Sequence, residues 1–234
     1  MCISYNPPTR QELQNQFGAR IAASAADANW PEETYQDYVA PIILPDADGG
    51  RTAVLANYGM VPKQHIPPDM KRYSTMNARA ETIGQLRSYA SAWKESQLCL
   101  VPMQCFYEPN WETGKHERWR IGMANQRDFA VAGLWRIWRE QDGTSLHSFT
   151  QLTINADTHP LMRKFHRRED EKRSLVIIAP DEYDAWLHCR DPELARSFLQ
   201  LRPPESMIAS PAPKPAKKIE EKTAQRWHQT ADLF

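Results

Sequence analysis

Five apolar, β-rich segments follow one another at residues 98–107, 118–123, 129–138, 147–155 and 174–179, and another occupies 51–58 behind the turn Asp48-Gly49-Gly50. Runs of this length, bounded by turn residues, read as strands. Residues 1–6 read as a short extended start stopped by Pro7-Pro8, and 38–44 as an apolar run broken by Pro41. Helical patterning is confined to shorter stretches. One spans 10–17, capped by Thr9 and ended by Gly18; another spans 78–93, with Ile83, Leu86, Tyr89 and Ala90 on one face; short helices are expected at 181–188 and 192–201. The expected fold is therefore strand-rich α+β, a curved sheet or open β-barrel-like core with peripheral helices.

From Pro203 the composition changes. The stretch PPESMIASPAPKPAKKI at 203–219 offers too little apolar area to offset the entropy of ordering it. This predicts a catalytic domain at 1–202 and a flexible Pro/Lys-rich tail at 203–234. The formal net charge is zero, which excludes a bulk polycation, so any nucleic-acid contact must come from local clustering. No apolar run is long enough to span a bilayer, and the start MCISYNPPTR lacks the blocks of a signal peptide. A cytoplasmic, nucleoid-associated monomer without membrane contact is expected, its four cysteines reduced. Their spacing does not resemble a zinc framework; neither metal nor cofactor is expected.

The sharpest chemical feature is Cys2, directly after the initiator Met1. Removal of Met1 would leave an α-amine and a thiol on one residue. Such a 1,2-aminothiol condenses with an aldehyde to a Schiff base, which the thiol closes to a thiazolidine. Both groups titrate within about two units of neutrality in their unperturbed state, so they need little activation.

Further along, Met76-Asn77-Ala78-Arg79-Ala80-Glu81-Thr82 resembles the MNARAET signature of the SRAP family, the SOS-response-associated peptidase-like abasic-site processing proteins. In the same order, Asn57-Tyr58-Gly59-Met60-Val61-Pro62 resembles its WGL-x-P segment, and Cys99-Leu100-Val101-Pro102 with Phe106-Tyr107-Glu108 its RCL-[IV]-P…GFYEW strand. Phe129-Ala130-Val131-Ala132-Gly133-Leu134-Trp135 resembles its FA-x-AGLW strand, Ser148-Phe149-Thr150 its SFT segment, and Pro160-Leu161-Met162 with Phe165-His166 its PLM-x-x-IH segment.

The resemblance implies roles. Cys2 would be the nucleophile on abasic single-stranded DNA, Glu108 the general acid/base, and His166 a partner of the deoxyribose oxygen. Asn77 would position the Cys2 terminus or the lesion backbone, and Arg79 would pair with phosphate. Aldehyde–amine condensation needs a proton donor for the departing hydroxyl, which a carboxyl or an imidazole supplies. Further DNA contacts are expected from Arg87, Tyr58, Arg167 and Arg173, with Trp93, Arg163 and Lys164 as additional candidates; His159 is the rival histidine. The chain departs from the pattern at Ile3 (usually Gly), at Tyr58 (usually Trp), and after Glu108, where Pro109-Asn110 precedes Trp111. The family's HxRMP continues here as His166-Arg167-Arg168-Glu169, with Arg167 or Arg173 weighed as the phosphate ligand.

The chain ends Gln229-Thr230-Ala231-Asp232-Leu233-Phe234. This resembles the short peptides by which bacterial repair proteins dock on the replication sliding clamp, and a tether ahead of it would raise local concentration on DNA. Two other classes remain in view: an N-terminal-nucleophile cysteine peptidase or amidohydrolase, and a non-catalytic DNA or replisome adaptor.

Overall fold

The computed structural model describes residues 3–214. In chain order these form β1 (Ser4–Asn6), α1 (Arg10–Phe17), β2 (Ala19–Ile21), β3 (Val39–Pro45), β4 (Arg51–Tyr58), β5 (Asn77–Arg79), α2 (Ala90–Lys94), β6 (Leu98–Met103) and β7 (Cys105–Asn110). They continue with β8 (Glu117–Met123), β9 (Phe129–Arg139), β10 (Ser145–Asn155), β11 (Arg173–Leu175), β12 (Ile177–Ile178), α3 (Tyr183–His188), α4 (Pro192–Arg196) and β13 (Met207–Pro211). Helix α1 begins and ends where its sequence directs. The Thr9 hydroxyl accepts from Glu12 N–H, and Glu12 accepts from Thr9 N–H at 2.6 Å, while Gly18 closes the helix at φ +60°.

Strands β10, β4, β3, β6 and β9 pair in that order, and β9 pairs again with β10, so five strands close into a barrel. Closure removes the exposed edges that an open sheet would leave. Alternate wall residues serve two cores. Leu100, Ala132 and Leu134 join Leu13, Phe17, Trp93 and Trp186 of the helices, while Val101, Val131 and Phe149 join Tyr5, Phe106 and Ile121 of a second sheet. Gly133 lets the wall close: a Cβ there would stand 2.7 Å from Cys99 Sγ and 2.9 Å from Thr150 O.

The second sheet runs β1-β7-β8-β13. It corrects the boundary set at residue 202: β13 pairs with β8 from Met207↔Met123 to Pro211↔Trp119, and Met207 is buried. Two other expectations change. The segment 98–107 is not one strand; at Gln104 the chain leaves the barrel for the second sheet, and Gln104 N–H donates to Asn6 O. Most of 78–93 is not helical. Asn77–Arg79 pairs in parallel with β10, and Ile83 and Tyr89 are buried by tertiary packing, leaving helix only at Ala90–Lys94. Among the described residues no helix is long and apolar enough to cross a membrane.

Candidate active site

The switch of sheet at Gln104 delivers Glu108. Strand β7 lies between β1 and β8, with Glu108 opposite Trp119. On the other side the antiparallel register runs Asn6↔Cys105, Tyr5↔Phe106, Ser4↔Tyr107, so one further step sets Ile3 opposite Glu108. The N-terminal end of β1 thus lies one register step from Glu108 on the neighbouring strand. Cys2 itself lies outside the described residues.

His166 reaches the same place by another route. Phe165 bridges to Asn110 at the end of β7, and His166 N–H donates to Pro109 O at 2.7 Å. His166 sits in the left-handed region at φ +64°, a conformation that costs a non-glycine residue on the order of 1 kcal/mol and persists only where surrounding bonds fix it. Its Nε2 stands 3.1 Å from Glu108 Oε2, the two side chains 10% and 2% exposed. The two groups are within ion-pair distance, and with so little solvent around them a charge on either is weakly screened.

Asn77 of β5 lies opposite Gln151 of β10. The Gln151 side chain accepts from Tyr58 Oη at 3.1 Å, and the Tyr58 ring meets Tyr5 of β1 edge-on at 5.4 Å. The signature strand is therefore linked to β1 by its backbone pairing with β10 and then through the side chains of Gln151, Tyr58 and Tyr5. Tyr89 Oη donates to Asn77 O at 3.3 Å, and burial pushes its phenol up to about 12.

Several expected DNA contacts are placed otherwise. Tyr58 is fully buried between Tyr5 and Phe149, so it is wall rather than stacking surface, and Trp93 is likewise core. Arg173 is buried and bonded to Glu81, Glu171 and Thr153 O. Burial opposes ionisation of Glu81, but Arg173 outweighs it and holds that carboxyl below its ordinary range. A guanidinium so committed is a structural cation, not a phosphate ligand. Arg79 remains half exposed, paired with Glu171 at 2.8 Å. Arg87 is exposed on the segment before α2, and Arg167 lies 5.0 Å over the Trp111 ring.

Beside the pair opens a cleft of ≈ 510 Å³ lined by Trp111, Glu112, Asp157, Arg163, Lys164, His166, Arg168, Asp170 and Lys172. Trp111 thus forms part of the wall next to His166. Arg168, two residues after His166, lines this cleft, whereas Arg167 and Arg173, weighed from the sequence as the phosphate ligand, do not. His159 is excluded from the site. It is buried, its Nδ1 accepts from Leu161 and Met162 N–H, and its Nε2–H therefore donates to Arg202 O at 2.8 Å. Cys99, Cys105 and Cys189 are all buried and free, and burial pushes the Cys99 thiol well up. None of these three is a nucleophile open to a bulky substrate.

A closed five-strand barrel backed by a second sheet, with few helices, places the chain in a strand-rich α+β class. The chain belongs to the SOS response associated peptidase (SRAP) family, whose model matches residues 1–217. That membership associates it with DNA damage and the SOS response. A crystal structure of a protein from Bordetella bronchiseptica is similar over 91% of this chain and 100% of its own, at 30% identity and TM-score 0.79. A protein from Bacteroides thetaiotaomicron shares the fold at 18% identity and TM-score 0.72, over 91% of this chain and 93% of its own. A phage-related protein from Bordetella bronchiseptica does so at 16% and 0.63, over 90% and 93%. Among curated proteins none matches significantly.

Proposed function

We propose that the protein captures abasic sites in single-stranded DNA covalently through Cys2 once Met1 is removed. The observation that carries this reading is the Glu108–His166 contact of 3.1 Å, in a pair nearly closed to water at the end of β7 beside which β1 begins. The α-amine attacks C1′ of the ring-opened sugar aldehyde to give a carbinolamine. His166, backed by Glu108, hydrogen-bonds the sugar oxygen and, with Glu108, donates the proton with which the hydroxyl leaves as water. The Cys2 thiolate then adds to the imine carbon and the nitrogen takes up the thiol proton, so aldehyde and aminothiol yield one thiazolidine and one water. Asn77 orients the amine or the lesion backbone.

The cleft offers part of what an anionic strand needs. Arg163, Lys164, Arg168 and Lys172 line it alongside Trp111, against the carboxyls of Glu112, Asp157 and Asp170; cations with a stacking ring are the combination that binds single-stranded DNA. Arg79, exposed Arg87 and Arg167 would extend the phosphate track. An abasic sugar has no base to unstack, so specificity rests on the aldehyde. The Gln229-to-Phe234 clamp-docking peptide lies outside the described residues and rests on its sequence alone. A fluorescent peptide of residues 226–234 tests it by binding to sliding clamp.

The test is a denaturing gel after incubation with abasic and intact single-stranded oligonucleotides. A heat-stable shifted band only with the abasic strand is expected. Peptide-bond hydrolysis is the second reading, favoured by the family's description. Cleavage of peptide or glutamine substrates, with no adduct on abasic DNA, would select it.

A further inference from the structure

Lys172 places an ammonium group in the protein with 9% of the residue exposed, an uncommon location for lysine. It donates to the carbonyl oxygens of His166, at 3.4 Å, and of Arg167. The lysine backbone is itself anchored: its N–H donates to Asp157 Oδ1 at 2.8 Å and its carbonyl accepts from Ala156 N–H at 2.7 Å. Arg173, the next residue, is paired in β11 opposite Asn155. The ammonium therefore hangs from a fixed point at the end of β10 and reaches across the loop to its opposite limb.

The first of these carbonyls belongs to the peptide plane that follows His166, the residue held at φ +64°, and the second to the plane after Arg167. On the other side of His166 the N–H is fixed by Pro109 O. One bond to β7 and one to Lys172 hold the peptide planes on either side of His166, and so restrain both its torsions and the direction in which its side chain leaves the backbone; the second bond to Lys172 holds the next plane. Within the loop the Arg167 carbonyl is otherwise met by Asp170 N–H at 3.1 Å, a turn contact that does not constrain His166. We infer that Lys172 is a positioning residue for the proton-transfer pair, holding His166 in its left-handed conformation so that the imidazole stays on Glu108. This rests on the acid–base role proposed above for the pair. Lys172 also lines the cleft, so its rival role is that of an ordinary phosphate ligand.

The two roles separate experimentally in the full chain. With Lys172→Met, the crosslinking rate at saturating abasic DNA should fall at least tenfold, while affinity for an intact strand changes less than twofold. In a His166→Ala background the same substitution should change the rate by less than twofold, because the lysine acts only through the histidine. A loss confined to affinity, or a full additional loss in the His166→Ala background, would overturn the inference. Lys172→Gln gives the same comparison should Lys172→Met lose its cooperative unfolding transition.

A second readout needs no activity and so survives failure of the abasic-site reading. The His166 ring resonances, assigned against His166→Ala, should respond to Glu108→Gln in the parental background and not in Lys172→Met. If the parental protein forms no adduct, the functional reading fails while this comparison still decides the role of Lys172. An equal response in both backgrounds contradicts the positioning role.

Discussion

Glu108 Oε2 and His166 Nε2 stand 3.1 Å apart, one carried by a central strand of the second sheet and the other by a loop tied to that strand's last residues. Because β7 supports both, the two groups form a unit rather than two independent sites. Glu108→Gln should slow adduct formation about 10²–10⁴-fold, the usual worth of acid–base catalysis, and His166→Ala should also slow it. The double variant should lose little more than the worse single one, since groups acting together are non-additive. Single-turnover crosslinking rates measure this; strictly multiplicative losses would contradict it.

His159 should separate stability from chemistry. Its ring makes three hydrogen bonds to backbone, and its removal leaves buried groups unmatched. His159→Ala should cost about 1–3 kcal/mol in denaturant unfolding and leave the crosslinking rate of the folded protein within about threefold, a range well short of an acid–base loss. A rate loss comparable to that of His166→Ala would return His159 to the site.

Arg168 and Arg173 should behave oppositely. Arg168→Ala should weaken DNA binding and lower the slope of log K against log salt by about one, the signature of one lost phosphate contact. Arg173→Ala should leave that slope unchanged and reduce stability by about 2 kcal/mol. Two half-exposed carboxylates are left behind, so the loss is smaller than for a fully buried pair. A salt slope that moves only with Arg173→Ala would reverse the assignment.

Asp128 gives a pH-dependent prediction. Burial, with Glu12 nearby, pushes its carboxyl up to about 6, so the fold favours its neutral form. Its contribution to stability is present in full below its unfolded value, near 3.9, and is lost as pH rises through about 6. Asp128→Asn keeps an acceptor for Gln16 Nε2 and removes the charge. The variant should match the parent near pH 4, gain across pH 4–6, and be more stable by about 1 kcal/mol above pH 7, a figure reduced for the half-exposed setting. Urea midpoints at pH 4.5 and 7.5 test it; a constant difference would refute the linkage.

The parts of this molecule that were legible in its sequence are those fixed by local chemistry. Thr9 and Gly18 mark the ends of α1, and apolar, β-rich runs bounded by turn residues mark the strands. Glu108 and His166 were found through order and resemblance, since a lone carboxylate and a lone imidazole carry no local sign of each other. What periodicity does not encode is the partner. Parallel pairing of β4 with β10, which closes the barrel, joins segments distant in sequence. Pairing of Asn77 to Arg79 with β10 overrides a helical composition. Averaging over 203–219 hid the short apolar run at Met207-Ile208-Ala209 that completes the second sheet. Nor does charge report its own burial: Arg173 resembles any surface arginine until Glu81 and Glu171 are seen around it.

The central claim concerns Cys2, and intact mass spectrometry addresses it most directly. Full-length protein incubated with an abasic single-stranded oligonucleotide should lack Met1 and gain the oligonucleotide mass less one water. The adduct should survive heat, and Cys2→Ala should yield no stable adduct. An active preparation that retains Met1, or an undiminished stable adduct with Cys2→Ala, would contradict the thiazolidine account.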